Sequence, residues 1–144
     1  MGTRSITVVS DQSRAVILYK HWDGYPEDML SNFKRARCLM EKYEDGYLPH
    51  FLTYPDDVSA AIIVSFWLDS NKGKTGKVRP PDFRPEGGFD GQVLKQVLEE
   101  LGKQYGAEFI YVVDVQDPQR WEVNIYGLDS EGYKYIGTTE VTCN

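Results

Sequence analysis

Polar and apolar residues alternate from Thr3 to Val9, with Ile6 and Val8 on one face, and Ala15 to Lys20 forms a second β-prone run. Ser10-Asp11-Gln12-Ser13 between them is turn chemistry, so the pair reads as a β-hairpin. Two registers fit. One sets Arg4 opposite Lys20. A slip of one residue sets Arg4 opposite His21 and Ile6 opposite Tyr19, and is preferred because like charges directly opposed are unfavourable.

After Pro26, Glu27 and Asp28 open a helix at the end where the helix dipole favours negative charge. Its apolar positions Met29, Phe33, Ala36, Met40 and Tyr43 keep three-and-four spacing, with Leu30 and Leu39 beside them, and Asp45-Gly46 ends it. Lys34, Arg35, Arg37 and Lys42 read as its solvated face. An aromatic connection containing His50 leads to Thr53-Tyr54-Pro55-Asp56-Asp57. From Val58 to Leu68 the chain is apolar nearly all round, which periodicity alone reads as a central helix or a buried strand; the proline and the two acids favour the helix. A third helix is expected from an Asp90 N-cap to about Tyr105, with Val93, Leu94, Val97, Leu98 and Leu101 on one stripe and Gly106 at its end. Glu108–Val115, Arg120–Tyr126 and Tyr133–Val141 then read as an antiparallel meander in which Trp121, Val123 and Ile125 share a face. The expected fold is a single α+β domain over residues 1–144, with three helices between hairpin and meander. A mixed or antiparallel sheet of five strands, covered by helices on one face, completes it.

Composition narrows the function. Lysine and arginine number 16 and aspartate and glutamate 22, a net charge of −6, which has the wrong sign for bulk nucleic-acid binding. No apolar run approaches the roughly 20 residues that span a bilayer, and Ile6 stands where the myristoylation pattern needs serine or threonine. Cys38 and Cys143 are far apart and lack metal-binding spacing, which suggests two structural or idle thiols in a reducing compartment; a cytoplasmic location is expected. The irregular stretch 70–88 differs in charge, with Lys72, Lys74, Lys77, Arg79 and Arg84 among glycines and prolines. Gly73-Lys74-Thr75 is not a Walker motif, because Leu68 stands where that pattern needs glycine. The stretch reads either as a solvated lid edge or as a basic cover that attracts an anionic ligand through Lys74 and Arg79.

Most of the scarce chemistry lies in Tyr19-Lys20-His21-Trp22-Asp23-Gly24-Tyr25-Pro26. Three readings use it. In the first, Tyr19, Trp22 and Tyr25 offer flat surfaces to a planar ligand while Arg4, His21 and Asp23 orient it, making a pocket for an anionic or nucleotide-like small molecule. In the second, His21 acts as acid–base catalyst of a small hydrolase or phosphodiesterase, Asp23 orients it and Arg4 holds an oxyanion or phosphate. In the third, Arg4 pairs with Asp23 to lock the strand ends, the aromatics are core, and the acidic surface meets another protein. The first, binding without turnover, is preferred. No metal or cofactor is expected: His21 and Asp23 share a strand face, but no motif supplies a third ligand. The sequence is silent on oligomeric state.

The opening Met1-Gly2-Thr3-Arg4-Ser5 and the Tyr19–Pro26 block together resemble a group of small proteins from phages, prophages and microbial genomes, over about the first 30 residues. The resemblance implies that Arg4, Ser5, His21, Trp22, Asp23, Gly24 and Tyr25 act as one unit and that the gene belongs to a mobile element. It also implies a counter-defence role, by sequestering a small signal or a host protein.

Overall fold

The computed structural model describes residues 3–11, 13–42, 51–69, 78–79 and 91–144. Alternation in the first two runs produces strands β1 (Ser5–Ser10) and β2 (Ala15–Lys20), paired antiparallel with Ile6 opposite Tyr19, the register that keeps Arg4 away from Lys20. Asp11 closes their turn by accepting the backbone N–H groups of Ser13 and Arg14 on Oδ1, each at 2.7 Å. Helix α1 (Pro26–Lys42) starts on a proline followed by Glu27 and Asp28. After a short 3-10 turn (Phe51–Thr53), α2 (Pro55–Asp69) repeats that opening with Pro55, Asp56 and Asp57. The all-apolar run is therefore a helix.

Within the stretch expected to be irregular, Val78–Arg79 forms a two-residue strand, β3, paired antiparallel with β2. A helical rod follows in three segments: α3 (Gly91–Gln96), a π-helical turn (Val97–Leu101) and α4 (Gly102–Tyr105). Gly106 stops it in the left-handed conformation at φ 65°, which costs glycine little. Strands β4 (Phe109–Asp114), β5 (Trp121–Asp129) and β6 (Gly132–Val141) form the antiparallel meander. The strand order is β3-β2-β1-β4-β5-β6. β1 joins β4 in parallel, Ser5 beside Phe109, so hairpin and meander fuse into one mixed sheet of five full strands and a short edge. The Asp90 cap, the Asp45-Gly46 stop, Tyr43, His50 and the stretch 70–88 apart from Val78–Arg79 lie outside the described residues.

One expectation is corrected: helices cover both faces of the sheet. Val9, Leu18, Tyr111, Val113, Trp121 and Val123 pack with α1 and α2, whereas Ile6, Val8, Ile17, Tyr19, Ile110 and Val112 pack with Val97 and Leu101 of the rod. Strands β1 and β4 are therefore buried on both sides and read as continuous apolar runs. β5 alternates from Trp121 to Tyr126, its buried residues Trp121, Val123 and Ile125 all facing the α1 and α2 side. The meander's alternation suggested a single covered face, and it describes only that side of the sheet.

Two further corrections concern α1. Its solvated face was expected to include Arg37, which is 2% exposed. The guanidinium donates from Nη2 to the Pro118 carbonyl at 2.6 Å and from Nε to Glu41 at 3.0 Å, and lies 5.3 Å from the ring of the fully buried Trp121. The indole in turn donates to the Leu52 carbonyl at 2.9 Å. Nor are the cysteines idle thiols: Cys38 on α1 is disulfide-bonded to Cys143 beyond β6, with Cα atoms 4.9 Å apart across 105 residues of sequence. Packing of α1 beside the end of β6 creates that proximity, which linear spacing cannot reveal. No described helix is long and apolar enough to cross a membrane.

Candidate functional site

The hairpin end carries the chemistry. Arg4 lies one step beyond the Ser5–Lys20 pair, opposite His21 in the continued register and on the Ile6 face of β1. Its carbonyl accepts the backbone N–H of Glu108 at 2.9 Å, extending the parallel ladder to β4. Its guanidinium runs over the end of the rod, where Nη1 would lie 2.8 Å from a Cβ placed on Gly106. Glycine thus leaves the room that Arg4 occupies. A cation is also favoured there, at the negative end of the helix dipole. Among the described residues Arg4 forms no ion pair.

Tyr19 and Tyr105 meet beside it with ring centroids 4.9 Å apart. The Tyr19 hydroxyl is hydrogen-bonded to His21 Nδ1 at 2.7 Å, and the His21 ring meets Trp22 edge-on at 4.9 Å. With the phenol as donor, the neutral imidazole keeps its proton on Nε2 and can itself donate to an acceptor. Beyond His21 the hairpin swells. The register would set Trp22 opposite Thr3, but the Gly24 N–H takes that place, donating to the Thr3 carbonyl at 2.9 Å. Asp23 absorbs the excess in the left-handed region at φ 55°, which aspartate tolerates better than most residues. A Cβ on Gly24 would lie 2.7 Å from Ser5 Cβ and 2.8 Å from the Thr3 oxygen, so the Thr3–Ser5 and His21–Gly24 segments are in direct contact.

The bulge divides the predicted site residues. Arg4, Tyr19 and His21 share the rod face, with Trp22 against His21. Tyr25 belongs to the opposite side, 6.2 Å from Phe109, which packs on the α1 and α2 core. Asp23 is exposed and makes no ion pair with Arg4 among the described residues, so that expected lock is absent. Arg79 pairs across from Tyr19 in β3, which carries part of the basic stretch to this end of the sheet. Lys74 lies outside the described residues.

Two residues were missed by sequence reasoning. Tyr105 completes the aromatic wall, and only its place at the end of the third apolar stripe hinted at that. Lys20 is 5% exposed on the α1 and α2 face, with Nζ 4.4 Å above the Phe66 ring, 3.9 Å from Met29 Sδ and 3.5 Å from the Asp23 carbonyl. Nearby, Tyr111 donates to the Gly24 carbonyl at 2.5 Å, and burial together with the Asp28 charge pushes its phenol far above the ordinary tyrosine range. It is a fixed donor at any physiological pH.

Two surface concavities lie elsewhere. One of about 400 Å³ sits between the rod and the β5–β6 turn, lined by Leu94, Leu98 and Tyr133 among others. Another of about 380 Å³ lies between α1 and the end of β6, lined by Leu30, Lys34 and Thr142 among others. Neither includes a hairpin-end residue. Among the described residues no three histidines, cysteines or carboxylates gather as a metal site. Comparison with protein-family models, curated proteins and solved structures finds no match.

Proposed function

We propose that the hairpin end binds a small anionic, planar ligand, nucleotide-like in character, without turning it over. One observation supports this most directly. Arg4, whose guanidinium lies beside Gly106 with no carboxylate partner among the described residues, stands opposite His21 in the continued strand register, on the face where Tyr19 and Tyr105 meet. In this reading Arg4 takes the anionic group beside His21, and the partly exposed rings of Trp22 and Tyr105 take the flat part of the ligand. Arg79 enters the same row of the sheet through its pairing with Tyr19, and Lys74 follows the basic stretch by sequence alone. Read with the resemblance to phage-type proteins, sequestration of a small anionic signal is the role such a site would serve.

Thermal melts against inorganic phosphate, nucleoside monophosphates and cyclic nucleotides test the proposal. Stabilisation should grow with ligand concentration, reaching about 2.7 kcal/mol at roughly a hundred times the dissociation constant, and Arg4→Ala should abolish it. No stabilisation by any of these probes, or full stabilisation of Arg4→Ala, sinks the proposal.

The Tyr19–His21 hydrogen bond also favours a second reading, since an oriented imidazole is what a general base requires. In a hydrolase, His21→Ala would abolish turnover of a phosphodiester while binding survives. In a binder it would only weaken affinity.

A further inference from the structure

The hollow of about 400 Å³ between the rod and the β5–β6 turn has the size of a small-molecule site and stands apart from the hairpin end. Its apolar part is Leu94, Leu98 and Tyr133, each packed on the rod-side core yet partly exposed. Tyr133 is held at two points. Its hydroxyl donates to the Ala107 carbonyl at 2.5 Å, and its ring lies so close to Gly102 that a Cβ there would come within 2.7 Å of Cζ. The aromatic side of the hollow is therefore fixed before any ligand arrives.

Charge along the rod indicates what fits. Lys95, Glu99 and Lys103 line the hollow at four-residue steps, positive, negative, positive. On a regular α-helix such i,i+4 neighbours pair with one another. Here the π-helical turn Val97–Leu101, with its wider i→i+5 repeat, lies between the two lysines, and none of the three is ion-paired among the described residues. The fourth charged residue at the hollow, Glu131, is bound to Lys134 at 3.1 Å. What remains open is an acid with a lysine on either side, next to an apolar strip. That pattern is complementary to a molecule with an ammonium and a carboxylate about one helical turn apart and apolar groups between them. One turn advances about 5 Å and an extended dipeptide spans about 7 Å, whereas both charges of a free amino acid are attached to a single carbon.

We propose that this hollow binds a short zwitterionic peptide with apolar side chains. Glu99 takes the terminal ammonium, Lys95 or Lys103 takes the terminal carboxylate, and the side chains lie against Leu94, Leu98 and Tyr133. The proposal does not depend on the anion site, since no hairpin-end residue lines this hollow.

Calorimetric titration of the full chain with the dipeptide Leu-Leu, with its doubly capped neutral form and with free leucine tests it. The dipeptide should bind about tenfold or more tightly than either control, and Glu99→Gln should weaken it about tenfold without changing the response to the capped form. Gly91 also lines the hollow, and a Cβ there meets nothing within 4 Å, so Gly91→Trp places an indole at the hollow without a backbone clash. That variant should lose dipeptide binding with circular dichroism unchanged, while Arg4→Ala should bind the dipeptide as the unaltered chain does. Absence of binding at millimolar Leu-Leu overturns the proposal. So does equal affinity for the capped peptide or for free leucine, and so does undiminished binding by Glu99→Gln. Because Glu99 is exposed, that comparison stands even where Gly91→Trp fails to fold.

Discussion

On one side of the sheet, two helices of 17 and 15 residues lie over a core that runs from Val9 to Val141, pinned by the Cys38–Cys143 bond and by Arg37 stacked near Trp121. On the other side, a rod of three short segments covers β1, β2 and β4, and its end stops at the polar aromatic cluster of Arg4, Tyr19, His21 and Tyr105. The first side spends its polar groups on holding structure: Arg37 is bound to a carbonyl, Trp121 to another, Tyr111 to a third. The second leaves a guanidinium without an ion-pair partner among the described residues. In the proposed reading the ligand meets the second side, and mutations should respect that division.

The largest loss is expected from Trp121→Ala, about 3–5 kcal/mol in urea titration, because the change opens a cavity and strands the Leu52 carbonyl. A loss under about 1 kcal/mol would mean that the α1 and α2 side is not the anchor. Reduction of the disulfide, or Cys143→Ser, should cost about 2–5 kcal/mol, read as a lower melting temperature in reductant. Identical melts with and without reductant would show the bond does not constrain the chain.

Tyr111→Phe should cost about 1–3 kcal/mol at neutral pH, since the buried Gly24 carbonyl loses its donor. It should also change the alkaline limb of stability. The folded phenol titrates above its unfolded value, so the stability it contributes is complete below about pH 10 and is lost as pH rises further. Urea midpoints measured from pH 8 upward should fall less steeply in the variant. Tyr133, raised in the same direction by burial, keeps part of the slope in both proteins. The smallest effect belongs to the other side: Arg4→Ala should change stability by no more than about 0.5 kcal/mol while removing anion binding. A large stability loss there would turn Arg4 into scaffold and erase the contrast between the faces.

Features that depend on neighbours in sequence were legible without coordinates. The hairpin register followed from charge opposition between Arg4 and Lys20, and both long helices from a proline followed by two acids. Alternation placed Arg4, Ile6 and Tyr19 together. Features made by distant encounters were not. Parallel pairing of β1 with β4, the meeting of Cys38 with Cys143, and the burial of Arg37 against Pro118 and Trp121 each join residues about 80 or more apart. Tyr25 left the expected site for a local reason with no sequence marker of its own: Asp23 turns left-handed and the chain crosses to the opposite side of the sheet.

The parallel junction at the centre of the sheet bears on how the chain is made. β1 leaves the ribosome about a hundred residues before its second neighbour, β4. Until then one edge of a strand buried on both faces when folded stands open to wrong partners. Closing such a long-range pairing is slow, so the nascent chain needs protection during translation, and a fragment ending before residue 109 should aggregate rather than fold.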